Sequence, residues 1–333
     1  MLVHSDNQFQ RHEFIVSESE VGKRIDAILA ARFEAYSRNA MIELIREGKV
    51  ELNGKSPFKP ATKAEAGNQL VVQLPEIVDV SLPSAPNPDI EVIFEDEHLV
   101  IFNKPSGMPA HPQRVQDTNT LANIMVARYG TDLPTSDDDG LRPGIVHRLD
   151  ADTSGVTVCA KTELSFDSLK RQFRERDVEK AYLAVVHGLP KDDIFRVEAP
   201  LQRDPGRGHA MRVNKAEGMK AETDFRTLER YAPNKFSLIR ATPLTGRTHQ
   251  IRVHLAHVSH PVVADRLYSP HNTLALEEAI DHKPSGFLIE RQALHASELQ
   301  FNHPVTKERL SYQAPLPDDM ERLLASLRDN SDD

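Results

Sequence analysis

Apolar residues recur at helical spacing twice near the start of the chain. Ile25, Ile28 and Leu29 share one side of a predicted helix, and Met41, Ile42 and Ile45 share one side of a second. Ser37 is placed to cap that second helix and Gly48 to end it, after which a short strand leads to the Asn53-Gly54 turn. QLVVQLP supplies another strand after Gly67. Two small helices and a few strands predict a compact unit over residues 14–76, near the lower size limit for an independent fold. VDVSLPSAPNPDI then brings three prolines, Pro83, Pro86 and Pro88, and reads as a linker over 77–89.

Beyond the linker the pattern is dominated by strands. IEVIFEDEHLVIFNKPSG has two apolar stretches around an acidic turn and predicts a hairpin. GVTVCAK, KAYLAVVHG, AETDFRTLERY, FSLIRATPL and ERLSYQAPL read as further strands, while FDSLKRQFRER places Phe166, Leu169 and Phe173 on one side of a helix. In QIRVH the polar residues Gln250, Arg252 and His254 alternate with Ile251 and Val253, as on a strand with one polar and one apolar face. Many strands with few long helices predict a mixed-sheet protein of the α+β class. The βαβ alternation of a dinucleotide fold is missing, as are GxGxxG and GxxxxGKS.

Composition narrows the class. The chain has 333 residues, 39% of them hydrophobic, and no run of eighteen apolar residues. Its first residues lack the basic-then-apolar order of a secretory signal, so a cytoplasmic protein without a membrane partner is expected. The single cysteine, Cys159, excludes an internal disulfide and a four-cysteine zinc site. Net charge is -9, which argues weakly against nucleic acid, but the charge is unevenly distributed. From Gln313 onward two arginines face six acids, giving an acidic tail over 319–333, and Asp137 to Asp139 form another acidic cluster. Between Tyr231 and Ala264 there is no acid, while Lys235, Arg240, Arg247 and Arg252 supply positive charge. A local anion-binding face is compatible with an acidic total.

Candidate chemistry gathers in GIVHRLDADTSGVTVCAK. Asp150 precedes a turn in which Asp152 and Thr153 can bind backbone donors and Gly155 can take a permissive conformation. Two readings stand there: an aimed carboxylate acting as nucleophile or base, or acids that only cap the turn. Arg252 would need an anionic partner if buried, and Asp150 would satisfy it. Arg247 after Gly246 suits a phosphate, and Tyr182 either stacks on a base or packs in a core. Lys170, Arg171, Arg174, Arg176 and Lys180 are further phosphate candidates, diluted by Glu175, Asp177 and Glu179. Arg24, Arg38, Arg46 and Lys49 form either a basic RNA-binding face or an ordinary solvated surface, with Glu34, Glu43 and Glu47 among them. His254, His257 and His260 lack the HExxH arrangement and a suitably spaced acid, so no metal is expected.

Taken together, these motifs resemble the pseudouridine synthases that carry an HRLD motif. GIVHRLDADTSGVTVCAK matches the catalytic motif, EKAYLAVVHG the tyrosine-bearing strand, and LTGRTHQIRVHLAHVSHP the third strong motif. FNKPSG and LHASELQFNHPVTKERLSYQAPLP complete a resemblance that covers residues 90–318. Residues 14–76 are similar to a small RNA-binding domain also found in a ribosomal small-subunit protein, an order seen in enzymes that modify large-subunit ribosomal RNA. The resemblance implies an α+β catalytic domain with a mixed, mainly antiparallel sheet, preceded by a small α/β RNA-binding domain.

It also implies roles. Asp150 becomes the catalytic aspartate, acting covalently or by removing the sugar's 2′ proton, with Tyr182 against the target base and Arg252 paired to Asp150. Arg148 would fill or hold open the space left by a flipped uridine, Arg247 and His249 would support the RNA cleft, and Arg38 and Lys49 would contact RNA. Neither metal nor organic cofactor is implied. The expected partner is large-subunit ribosomal RNA or a pre-ribosomal particle, with transfer RNA and a non-catalytic assembly role as rivals, and a monomer as the default. Ala151 stands where lysine or arginine is frequent, and HPVVADRLY departs from the common glycine-aspartate form at Ala264, while Asp265 and Tyr268 retain the polar and aromatic positions.

Overall fold

The computed structural model describes residues 9–33, 36, 38–75, 82, 83, 85, 90–112, 117–135, 141–231, 235–269 and 289–329. Ser37, the acidic cluster Asp137 to Asp139 and nearly all of the 77–89 linker lie outside them. The chain divides into two compact units, the first running to Pro83 and the second taking in most of the chain beyond it.

In the first unit β1 (Phe9–Ile15), α1 (Ile25–Arg32), α2 (Arg38–Arg46), β2 (Val50–Leu52) and β3 (Gln69–Pro75) form an antiparallel sheet in the order β1-β3-β2 with two helices. Asn53 and Gly54 both have positive φ, and Leu52 and Lys55 exchange backbone hydrogen bonds across them, so the predicted Asn-Gly turn closes a tight hairpin. Ile25, Ile28 and Leu29 are buried with Met41, Leu44 and Ile45 against Val50, Leu70 and Val72. Each such side chain contributes about 1.5–3 kcal/mol. Leu44 takes the core place expected for Ile42, which is only half-buried. Strand β1 extends the module ahead of residue 14, where the sequence pattern predicts no strand. Its partly inward positions are His12 and Phe14, which meet the Phe33 ring, so the apolar alternation of a strand is missing.

The second unit runs β4 (Glu91–Glu95), β5 (Leu99–Lys104), α3 (Leu121–Tyr129), β6 (Ser154–Ala160), α4 (Glu163–Glu175), β7 (Glu179–His187), β8 (Ile194–Glu198), β9 (Leu201–Arg203), β10 (Met211–Val213), β11 (Glu222–Tyr231), β12 (Phe236–Pro243), α5 (Gln250–His257), β13 (Leu294–Asn302), β14 (Arg309–Gln313) and α6 (Asp318–Asp329). The main sheet has the order β4-β5-β6-β13-β7-β12-β11-β8, with β14 on β13 and β9-β10 as a separate ribbon. Among the described strands only β6 and β13 pair in parallel, so the sheet is mixed and mainly antiparallel, as expected. Every residue of β6 is buried, Cys159 included, as in a strand covered on both faces of its sheet. Phe166 and Leu169 seat α4 on the core around β6, while Ile251 and Leu255 of α5 join the core around β7 and β12.

Two expectations are corrected. QIRVH is the first part of helix α5, not a strand. Its polar members are buried and bonded, Gln250 to Thr245 and Thr223, His254 to Thr223 and the Ala199 carbonyl, so they do not mark a solvent face. A helix whose first six residues are all buried shows no amphipathic period there, and the alternation of residue types is accidental. The segment from 319, read as an acidic tail, is helix α6, whose Met320, Leu323, Leu324 and Leu327 are buried in the core around β7 and β12. Counting charges hides an apolar stripe at helical spacing.

One row across the sheet fixes the site. Gly155 of β6 is level with Ala296 of β13, Ala296 with Tyr182 of β7, and Tyr182 with Ala241 of β12. Laterally paired residues share a face, so the Tyr182 ring stands between two alanines that leave it room. Gly155 has φ +120, and a Cβ there would lie 2.2 Å from the Ala296 carbonyl oxygen. Gly155→Ala is therefore expected to cost roughly 2–4 kcal/mol, read as a lowered urea midpoint. A loss below about 0.5 kcal/mol would show that the two strands separate freely.

Candidate active site

The residues before β6 double back along it. Ala160 N–H donates to the Gly144 carbonyl at 2.9 Å, and Val158 N–H donates to Nε2 of His147 at 3.1 Å. The His147 ring stacks on Phe173 at 4.5 Å, and burial followed by the nearby Lys180 charge pushes its pKa down to about 3. His147 is thus a neutral acceptor that pins the loop to the strand. Leu149 is buried beside it, and Thr153 N–H closes the turn on the Asp150 carbonyl at 3.1 Å. The bond that shapes this turn is a backbone one. The Asp152 contribution is its carbonyl, which accepts from Arg291 at 3.1 Å.

Two buried cations brace the loop from outside. Lys104, the lysine of FNKPSG, is fully buried, and its ammonium donates to the carbonyls of Pro105, Met108 and Ala151 at 2.8, 2.8 and 2.9 Å. Burial and then the Arg291 charge push its pKa down to about 7, while three carbonyl acceptors match the three ammonium protons. Because Ala151 is held through its main chain, the small side chain at that position leaves the loop anchored. Arg291 forks onto Asp319 of α6 at 2.7 and 2.8 Å, tying the Asp152 carbonyl to the C-terminal helix.

Asp150 itself faces Arg252, whose NH1 donates to Oδ2 at 2.9 Å. The other edge of the guanidinium forks onto Asp265 at 2.6 and 2.8 Å, and Asp265 is fully buried. Burial works against the Arg252 charge, but the bonds to Asp265 and Asp150 outweigh it and hold the guanidinium pKa above its usual value. Oδ1 of Asp265 also accepts the N–H groups of Leu267 and Tyr268 at 3.0 and 3.2 Å. Ala264, ahead of it, lies at φ +56, where glycine is at ease and an alanine costs about 1 kcal/mol. The turn forms nonetheless, so the departure at Ala264 leaves the Arg252 brace intact.

Asp150, Tyr182, Arg252, Arg148, Arg247 and His249 all line one cavity of about 790 Å³. Burial, then the Asp150 charge, raises the Tyr182 pKa, so its hydroxyl keeps its proton. Arg148 is exposed and makes no ion pair or hydrogen bond with a described residue, whereas Arg247 donates to the Lys220 carbonyl at 3.1 Å. His249 stands just ahead of α5 at φ +56 with Nε2 3.9 Å from Oδ1 of Asp150, and burial lowers its pKa against the pull of that carboxylate. Arg174, Arg176 and Lys180 also reach the cavity, so its wall carries more positive than negative side chains. Such a wall suits an RNA backbone. Arg38 and Lys49 belong to the first unit: Arg38 bonds the buried Asp26 at 3.2 Å while staying half-exposed, and the Lys49 ammonium sits 4.2 Å from the Phe9 ring centroid.

Sequence reasoning missed roles for Asp265, Tyr268, Lys104 and Arg291. Asp265 and Tyr268 were visible as the acid and aromatic of ADRLY, but nothing in spacing linked them to Arg252. His254, considered as a metal ligand, is instead hydrogen-bonded through both ring nitrogens. Among the described residues no helix is long and apolar enough to cross a membrane.

Comparison with known proteins places the chain in a family. Residues 98–257 match the RNA pseudouridylate synthase family and residues 23–70 match the S4 domain. The chain is 37% identical over 318 residues to the uncharacterized RNA pseudouridine synthase YlyB of Bacillus subtilis, covering 96% of this chain and 98% of that protein. It is 38% identical over 313 residues to ribosomal large subunit pseudouridine synthase D of Neisseria meningitidis serogroup B, covering 92% and 79%. The structure of human RNA pseudouridylate synthase domain containing 4 superposes with a TM-score of 0.53 at 26% identity, covering 71% of this chain and 92% of that one. The chain therefore belongs to the RNA pseudouridine synthase family, with an S4 RNA-binding domain preceding a synthase domain whose cavity gathers Asp150, Tyr182 and Arg252.

Proposed function

We propose that this enzyme isomerises specific uridines of large-subunit ribosomal RNA, with Asp150 as nucleophile or base. The observation that carries the reading is the Asp150–Arg252 ion pair at 2.9 Å inside a cavity rich in cations. In the isomerisation the bond from N1 to the sugar breaks, the base turns, and C5 bonds to the same sugar carbon. The proton leaves C5, N1 gains one, and the RNA keeps its mass. The uridine first leaves its stack, at a cost of a few kcal/mol. Arg148, unpaired at the rim, is suited to the vacated space, and Tyr182 to the face of the flipped base. Arg252 orients Asp150, Arg247 and His249 line the RNA cleft, and Arg38 and Lys49 contribute to RNA contact from the S4 domain. No step in this scheme uses a metal or organic cofactor.

The ribosomal substrate is favoured by the Neisseria, Xanthomonas and Vibrio relatives named ribosomal large subunit pseudouridine synthase D, which align over 92–95% of this chain. The test is a single-nucleotide pseudouridine map of total RNA from cells with and without the gene. One or more sites in large-subunit ribosomal RNA are expected to vanish and to return with the intact protein. Loss confined to transfer RNA would overturn the ribosomal reading, and loss of no site would overturn the function in the cell.

A further inference from the structure

His249 of the cavity wall makes a contact that the ion pair does not explain. Tyr268 lies just past the Asp265 turn, and its hydroxyl is 2.7 Å from the backbone nitrogen of Met211 and 2.7 Å from Nδ1 of His249. A backbone N–H only donates, so the phenol oxygen is the acceptor toward Met211. The phenol has one proton of its own, and His249 Nδ1 is the acceptor the structure gives it. With the phenol as donor, Nδ1 carries a lone pair and the proton of the neutral imidazole sits on Nε2. That nitrogen lies 3.9 Å from Oδ1 of Asp150. In the other tautomer a lone pair would face the carboxylate, and the contact would be repulsive.

We propose that Tyr268 is a positioning residue of the isomerase, selecting the His249 tautomer that presents Nε2–H to the carboxylate of Asp150. The turn that braces Arg252 thereby also sets the proton on the second group beside Asp150. Tyr268 is fixed by its own N–H on Asp265, its ring lies 5.1 Å from the Arg252 guanidinium carbon, and Met211 reaches it from the β9-β10 ribbon. Arg207 of the same ribbon donates to the Leu267 carbonyl at 3.1 Å, so the ribbon grips this turn at two points. Arg148, Arg252 and Asp265 are the other charged groups around His249, and each is present whichever tautomer it takes.

The proposal rests on Asp150 doing the chemistry, but its first readout does not. Nitrogen NMR of the full-length protein labelled in histidine, without RNA, reports which ring nitrogen is protonated, and His249→Gln identifies the signal. The Nε2–H form is expected in the wild type, moving to Nδ1–H or to the imidazolium in Tyr268→Phe. In that variant kcat is expected to fall about ten-fold with KM changed by less than about two-fold. Glutamine at 249 offers an N–H donor with no tautomer to choose, so adding Tyr268→Phe to His249→Gln should lower kcat further by less than about two-fold. An Nδ1–H wild type, an unchanged tautomer in Tyr268→Phe, or an equal loss in both backgrounds would each overturn the proposal. Should Tyr268→Phe fail to fold, 3-fluorotyrosine in place of Tyr268 keeps the shape and strengthens the donor. A shifted Nδ1 resonance is then expected, and an unmoved one refutes the bond. Activity surviving in Asp150→Asn would remove the functional reading while leaving the tautomer result intact.

Discussion

Asp150→Asn is expected to yield a folded protein whose turnover on purified RNA drops by roughly four orders of magnitude or more, as happens when a nucleophile or its base is removed. Asparagine matches the aspartate in size and still offers Arg252 a carbonyl oxygen, so urea stability should change by less than about 1 kcal/mol. The discriminating comparison is with the other carboxylates of the cavity wall. Glu179 is held by Arg309 at 2.7 Å and is largely exposed, and Glu222 is held by Lys220 at 2.6 Å. Only Asp150 among these three is approached by the buried guanidinium and by His249. Glu179→Gln and Glu222→Gln should therefore stay within about five-fold of wild-type turnover. Full activity in Asp150→Asn with loss in either glutamine variant would transfer the chemistry to that glutamate.

Much of this site was legible because three separated motifs each carry one residue that the fold brings together. Asp150 precedes β6, Tyr182 lies on β7 and Arg252 on α5, more than a hundred positions from the aspartate it meets. Alternation and turn chemistry placed the strands and the polar turn. They did not place the helix carrying Arg252, because its polar residues are turned inward and satisfied there. Period arguments assume that polar means exposed, and the assumption breaks where a buried network stands in for water. Lys104 and Arg291 were invisible because each reaches the loop through a carbonyl distant in sequence, Ala151 for the lysine and Asp152 for the arginine. The charge count that suggested an acidic tail likewise missed that Asp319 is the partner of one of them.

The two edges of Arg252 allow charge to be separated from geometry. Arg252→Met leaves Asp265 fully buried without its counter-ion and Asp150 without its donor. Breaking a buried pair in this way costs about 3–5 kcal/mol, so a lowered urea midpoint should accompany lost activity. Arg252→Lys keeps one positive charge but loses the planar fork. A lysine ammonium can stay with Asp265 or move toward Asp150, and the fully buried carboxylate is the costlier one to abandon. Arg252→Lys is therefore expected to recover most of the stability, losing about 1–2 kcal/mol, while turnover stays depressed by roughly two to three orders of magnitude. If lysine instead restored turnover to within about ten-fold of wild type, a point charge would suffice. The bidentate hold on Asp265 would then serve the fold alone, and the orientation of Asp150 would have to come from His249 and the backbone turn.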